Sequence, residues 1–231
     1  MTERGKRINI AIDGPAGAGK STIARLVARK LGYLYIDTGA MYRAVALAVI
    51  RSGTGIDQTE RIGELTASLD IRLEPGPDGQ IVYVNGEDVT QAIRSNEVSN
   101  LVPKVAAIRK VRQLLVQKQQ AMAAGGGVVM DGRDIGSTVL PGAEVKIFLT
   151  AHLEERALRR YQELKHSDPS VTYEQVLKEL SERDETDRTR EVSPLTVADD
   201  AYVLDTTNLS IDEVVERIME RCRLALEQGA G

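Results

Sequence analysis

The chain has 231 residues, 42% of them hydrophobic, ample for one sizeable core and in the range of one or two domains. A net charge of −4 argues against a general affinity for nucleic acid or anionic membrane, so any basic site is local. Cys222 is the only cysteine, so no intrachain disulfide can form, and the sequence shows neither an apolar signal core nor a run long enough to cross a bilayer; it reads as a soluble cytoplasmic protein.

Ile8 to Ile12 reads as a buried strand. It runs into Gly14-Pro15-Ala16-Gly17-Ala18-Gly19-Lys20-Ser21-Thr22, which fits the P-loop pattern of glycine, four residues, glycine, lysine and hydroxyl. A helix-period run with Ile23, Leu26, Val27 and Leu31 follows, so the loop joins strand to helix, the context the motif needs. Gly14, Gly17 and Gly19 can take positive φ, and the loop amides with the helix N-terminus then form an anion nest. Lys20 is expected at the β- and γ-phosphates of a nucleoside triphosphate and the Ser21 hydroxyl on Mg²⁺.

Gly32 reads as a C-cap and Tyr33 to Ile36 as a second strand. After Asp37-Thr38-Gly39 comes a helix with Met41, Val45, Ala48 and Val49 inward, stopping near Gly53. Ile62, Leu65 and Leu69 mark another helix. Ile71 to Leu73 is a strand, the turn cluster at 75–79 closes it, and Ile81 to Val84 is its partner. Asn85-Gly86 signals a type I′ turn into a short strand at Val89, so residues 63–95 form a small antiparallel insert. One long helix is expected from Pro103 to Ala124, with Val105, Ile108, Val111, Leu115 and Met122 inward. Val128 to Met130 and Val145 to Leu149 are strands. Two charged helices cover Leu153 to Lys165 and Thr172 to Thr189, and Tyr202 to Leu204 is the last strand. Ser210 and Glu213 form a capping box for a final helix whose core face is Ile211, Val214, Val215, Ile218 and Cys222.

Short apolar strands separated by helices imply an α/β fold with a parallel sheet covered on both faces. Gly14, Asp37 and Asp131 each lie just past a strand's carboxyl end, which places three polar loops around one crevice. Thr38 can cap its helix, and Arg43 can fork onto a phosphate or stay solvated. Asp131 can orient Mg²⁺-bound water, while Arg133 and Asp134 offer a donor fork and an acceptor pair, or a local ion pair in a tight turn. Arg156, Arg159 and Arg160 share a helix face and can stabilise a migrating phosphoryl group, or belong to a salt-bridged helix with Glu155 on Arg159. Arg183, Asp187 and Arg190 share another face and can hold a ribose and a phosphate, or enter a helix network in which Asp184 pairs with Arg188. His152 and His166 lie outside these motifs, and no Ser-His-Asp set or Cys/His cluster is visible.

Taken together, GPAGAGKST, DTGAMYR, DGRDIGS, ERALRR and RDETDRTR resemble the bacterial cytidylate kinases over nearly the whole chain. The resemblance implies a P-loop NTPase-type sheet of about five strands with the β insert and a helical lid. It implies transfer from ATP to CMP or dCMP with Mg²⁺; a monomer acting on these small molecules is expected, and the acidic net charge is what argues against nucleic acid or membrane as partners. It divides the chain into a core (1–38, 125–152, 191–231), a monophosphate-binding region (39–124) and a lid with the late arginine helix (153–190). By the same resemblance Gly14 to Thr22 hold the ATP phosphates, with Arg156 of the lid closing over them. Thr38 and Arg43 meet the CMP phosphate. Arg112, Arg133 and Asp134 contact the pyrimidine side, and Arg183, Asp187 and Arg190 hold the sugar and phosphate. Lys20, Arg133, Arg156 and Arg183 are the expected catalytic set. The chain departs from the family pattern at Pro103, where a serine often contacts the base and for which Ser99 is a nearby substitute, and at Thr186, where a third late arginine often stands. Two other classes stay open at this level: a kinase for UMP, AMP or a non-nucleotide acid, and a nucleotide-dependent switch or ATPase with no acceptor.

Overall fold

The computed structural model describes residues 7–76, 79–166 and 168–228. Five parallel strands form the central sheet, in the spatial order β2 (Leu34–Asp37), β6 (Val128–Gly132), β1 (Asn9–Asp13), β7 (Val145–Thr150), β8 (Tyr202–Asp205). β1 sits at the centre and is apolar on both faces, as a strand covered on both sides must be. On one face Ile10 and Ile12 pack with Val27 of α1 (Lys20–Leu31) and with Val214 and Ile218 of α8 (Ile211–Gln228). On the other, Ala11, Ile36 and Met130 pack under a π-type turn at Ile135–Val139 and the end of α5 (Arg109–Ala123).

A second cluster joins α2 (Thr38–Ser52), α3 (Thr59–Ser68), α4 (Asn96–Ala107) and α5 to a small antiparallel sheet. That sheet is β3 (Ile71–Gly76), β4 (Gly79–Val84) and β5 (Glu87–Asp88). Asn85 and Gly86 both take positive φ, 52° and 86°, as a type I′ turn requires. The last strand lies at Glu87–Asp88, one step before the expected Val89, whose N–H still reaches the Val82 carbonyl at 2.9 Å. The turn residues Pro77 and Asp78 lie outside the described residues. Gln80 ties this sheet to the edge of β2: its amide donates to the Tyr35 carbonyl at 2.6 Å and accepts from the Asp37 N–H at 3.1 Å.

The single helix expected from Pro103 is two helices that meet at Ile108, whose backbone is extended (φ −73°, ψ 115°). The first begins seven residues earlier than Pro103, at Asn96, because Ser95 caps it by accepting from the Val98 N–H at 3.3 Å. Pro103 lies inside it, at a cost that tertiary packing of Val98 and Val105 overrides. Ile211, expected inward on α8, is exposed; it is the first residue of the helix, and the buried face begins at Val214. The capping box stands, with Ser210 and Glu213 bonded in both directions. Finally α6 (Leu153–Lys165) and α7 (Tyr173–Thr189) form a hairpin with its own small core.

Candidate active site

At the carboxyl end of β1 the chain turns so tightly that a Cβ on Gly14 would lie 2.0 Å from the Leu149 carbonyl oxygen. Only glycine fits there. Gly14, Gly17 and Gly19 all have positive φ (148°, 74°, 81°), and α1 starts at Lys20 with no acidic residue in its first turn to cancel its positive end. The Lys20 ammonium donates to the Pro15 carbonyl at 2.7 Å. Burial, and next the neighbouring Arg133, push its pKa below the ordinary lysine range.

Asp131, at the end of β6, is the carboxylate of this centre. It accepts from the Ser21 hydroxyl at 2.9 Å and from the Tyr35 hydroxyl at 2.8 Å. Burial raises its pKa and the charge of Asp37 raises it further, with Lys20 opposing. Asp13, buried at the end of β1, accepts from the Ile135 and Gly136 N–H groups at 2.8 and 2.7 Å. It thereby ties the P-loop's root to the loop that follows Asp134. Burial pushes it up to about 6 despite those two bonds.

A cleft of about 670 Å³ runs from the P-loop past Asp131 to α4 and α5. Its far wall is arginine and aspartate. Arg133 donates to Asp187 at 2.6 Å, Arg112 pairs with Asp134 below the surface, and Arg190 lies 3.6 Å from Asp134 and 3.8 Å from Asp187. Arg43 pairs with Asp37 at 2.8 Å. Arg183 is lowered to about 10, by burial and then by Arg133. Arg43 Nε and Arg112 Nε are buried without a hydrogen-bond partner in this wall, and Arg190 Nη2 has only the Asp134 carboxylate at ion-pair distance. Orphaned guanidinium N–H groups beside a cleft are unmet demand for an anion.

The sequence-derived residues divide accordingly. Lys20, Ser21, Thr22, Ala16, Gly17 and Gly19 line the cleft. Gly14, Pro15 and Ala18 shape the turn from outside it: Pro15 through its carbonyl, Ala18 by packing in the core. Thr38, Arg43, Arg112, Arg133, Asp134, Arg183, Asp187 and Arg190 are all brought to the one cleft. Two expectations are corrected. Asp37, not Thr38, caps α2, accepting from the Ala40 N–H at 2.9 Å; the Thr38 hydroxyl donates to the Asp131 carbonyl at 2.7 Å. Arg156 does not line the cleft. It is 5% exposed and bonded to Ala16, Ala151 and Asp184, so its neighbours Arg159 and Arg160 are the α6 arginines that face the opening. Asp184 consequently pairs with Arg156 rather than Arg188, and Arg133 pairs with Asp187 rather than with Asp134 in its own turn. Of the two departures, Pro103 lines the cleft one helical turn from Ser99, which lines it too; Thr186 is exposed on α7 and donates to the Glu182 carbonyl. Sequence reasoning missed Asp13, Tyr35 and Gln80. Asp13 had a signal, an acid ending a buried strand just before Gly14; Tyr35 and Gln80 had none, since their partners are fixed by strand neighbours and by the insert's position.

Comparison with known proteins places these features in context. A family model described as cytidylate kinase matches residues 10–224. The cytidylate kinase of Caldicellulosiruptor bescii is 54% identical over 215 residues, covering 93% of this chain and 95% of that protein. That of Bacillus subtilis is 54% identical over 215 residues, covering 93% and 96%. Among solved structures, an uncharacterized protein from Eubacterium ventriosum aligns over 93% of this chain and 97% of its own with a TM-score of 0.50 at 9% identity, a likeness of fold alone.

Proposed function

This chain belongs to the cytidylate kinase family, and from that membership we propose how its cleft performs the reaction. The chain is an enzyme that phosphorylates CMP and dCMP from ATP, giving ADP with CDP or dCDP. The observation that carries the assignment of sites is the cleft itself: a P-loop at one end and, at the other, guanidinium groups with unmet N–H donors.

ATP phosphates lie over Gly14 to Thr22, and Lys20 exchanges the Pro15 carbonyl for the β- and γ-phosphates. The CMP phosphate meets Arg43, with Thr38 nearby. Its sugar and phosphate lie against Arg183, Asp187 and Arg190, and its base lies near Arg112, Arg133 and Asp134, with Ser99 offering a hydroxyl beside Pro103. An oxygen of the CMP phosphate attacks Pγ in line as the bond to the ADP oxygen breaks. That oxygen is already anionic at neutral pH, so no general base is needed. Arg133 and Arg183 offset charge on the migrating group, and Arg159 and Arg160 close the ATP side. Lys20 and Arg183 both have lowered pKa values partly because they repel Arg133, a repulsion that an anionic substrate relieves.

The residues present fit Mg²⁺. No group of three or more His, Cys, Asp or Glu side chains is placed to cage a metal among the described residues, in keeping with an ion that takes its ligands from substrate phosphates, water and few protein groups. The Ser21 hydroxyl donates its hydrogen bond to Asp131 and keeps lone pairs for a cation, and the mutual repulsion of Asp131 and Asp37 favours positive charge there. When bound with the nucleotide, Mg²⁺ neutralises charge on its phosphates. The proposal extends to the three-part division of the chain (core, monophosphate-binding region, lid) and to a monomer acting on free nucleotides in the cytoplasm. No helix among the described residues is long and apolar enough to cross a membrane.

A coupled ADP-release assay with ATP, Mg²⁺ and each nucleoside monophosphate tests the reading. Stimulation by CMP and dCMP with weak UMP and AMP is the expected result. ADP release unaffected by any monophosphate would overturn it in favour of an ATPase.

A further inference from the structure

We propose that Arg156 and Asp184 are a positioning pair for the donor nucleotide: they fix the orientation of two consecutive P-loop peptides, and the phosphate cradle takes its working shape only when α6 and α7 are docked on it. This rests on reading the P-loop as the ATP site.

The pair grips one residue from both sides. Arg156 Nη1 donates to the Ala16 carbonyl at 2.8 Å, and Asp184 Oδ1 accepts from the Ala16 N–H at 3.4 Å. The two side chains join through Arg156 Nη2 and Asp184 Oδ2 at 2.7 Å, and Arg156 Nε anchors on the Ala151 carbonyl at 3.0 Å. In a trans peptide the C=O and the following N–H point in opposite directions, and the described peptides are all trans. Drawing the Ala16 carbonyl toward Arg156 therefore turns the Gly17 N–H the other way, and Gly17 lines the cleft. Drawing the Ala16 N–H toward Asp184 likewise turns the Pro15 carbonyl away from it, toward the ammonium of Lys20 that it meets at 2.7 Å. One ion pair thus sets a donor of the anion nest and the resting point of the P-loop lysine.

Packing follows the same seam. The Ala16 methyl belongs to a small core with Ala157, Val176 and Leu180, whose other described members all come from 153–180. A Cβ on Gly17 would stand 3.3 Å from both Arg156 Cβ and its carbonyl oxygen, so α6 rides directly against the loop. Stability alone does not explain the charges. The side chains are 6% and 3% exposed, and a buried ion pair is often matched or bettered by apolar residues of similar size. Apolar residues cannot orient a peptide.

The test is the double variant Arg156→Met/Asp184→Leu, which keeps volume and removes both buried charges together. The expected result is a KM for ATP raised about tenfold or more, a KM for CMP within about twofold of the parent, and a folded protein by circular dichroism. An unchanged KM for ATP, or a parallel rise in both KM values, overturns the proposal. If the double variant does not fold, Arg156→Lys decides by the same two KM values, since lysine keeps the charge on Asp184 but cannot serve both carbonyls. Lys20→Ala separates this from the reading beneath it. If the P-loop is not the ATP site, Lys20→Ala leaves turnover intact; if only the pair's role is wrong, Lys20→Ala abolishes turnover while the double variant binds ATP normally.

Discussion

Ser21 and Asp131 are joined hydroxyl to carboxylate at 2.9 Å across 110 positions of chain, which makes the first turn of α1 and the end of β6 one chemical unit. Tyr35 completes it by bonding the other carboxylate oxygen. Asp131→Asn leaves the shape and removes the charge that orients the Ser21 proton and draws a cation. kcat is expected to fall about 100-fold, with a higher Mg²⁺ concentration needed for half-maximal rate. Steady-state rates across a Mg²⁺ titration check both effects, and an unchanged Mg²⁺ dependence would remove Asp131 from the metal's surroundings.

Lys20→Ala is expected to lower kcat about 100-fold or more while the fold survives, because the side chain's one described bond is to a carbonyl of its own loop. Turnover and a thermal melt, run together, decide it; near-normal turnover would sink the role.

Asp13 sets a pH dependence of stability. Its folded pKa of about 6 lies above the ordinary 3.8, so the native state holds this proton more tightly than the unfolded chain does. The contribution is present below the unfolded value and lost as pH rises through the folded one, giving a decline from about pH 4 to about pH 7. Asp131 is raised too and adds in the same direction. Asp13→Asn, which keeps an acceptor for one of the Ile135 and Gly136 N–H groups and removes the titrating proton, should flatten part of that decline in urea unfolding measured across the range.

Arg112 and Asp134 form a pair 3% and 6% exposed. Arg112→Met leaves the buried Asp134 carboxylate only the more distant Arg190, at 3.6 Å, so a loss of about 3 kcal/mol in unfolding free energy is expected, with a raised KM for CMP and little change for ATP. Denaturant titration and the two KM values read it. A loss of ATP affinity alone would place Arg112 at the wrong end of the cleft.

Ser99 stands one turn from Pro103 on the cleft side of α4. If its hydroxyl reads the base, Ser99→Ala should narrow the ratio of kcat/KM for CMP over UMP about tenfold while leaving the KM for ATP alone. An unchanged ratio would show that the base is read elsewhere.

What the sequence made legible was what depends on nearest neighbours in the chain. The P-loop, the strands that end at Asp37 and Asp131, and the Asn85-Gly86 turn are local chemistry with local geometry. The helix broken at Ile108 was not legible, because Pro103 marks a helix start by local rules and sits mid-helix here through packing of α4 on α2. Partner choice was illegible for a different reason. Asp184 has Arg188 at i, i+4 and takes Arg156 of another helix, while Arg133 passes over adjacent Asp134 for Asp187. Both exchanges are made where the partners are buried or half-buried and the dielectric is low, which no spacing rule encodes. The correction to Arg156 has the same origin: of the three arginines grouped on α6, Arg159 and Arg160 line the cleft, and Arg156 alone is covered by the P-loop.

α7 carries Asp184 against the P-loop and, one turn on, Asp187 against Arg133, and Arg190 just past its last residue lies against Asp134. A helix spans such a distance as a stiff rod, so its position relative to one substrate site is its position relative to the other. If CMP draws α7 inward, the same movement lowers the cost of seating ATP, whereas a change confined to the Ala16 bonds leaves the helix held by its apolar core and the CMP site unmoved. Thermodynamic reciprocity requires the converse by the same factor, so each nucleotide should be held more tightly in the presence of the other, without any contact between them being needed.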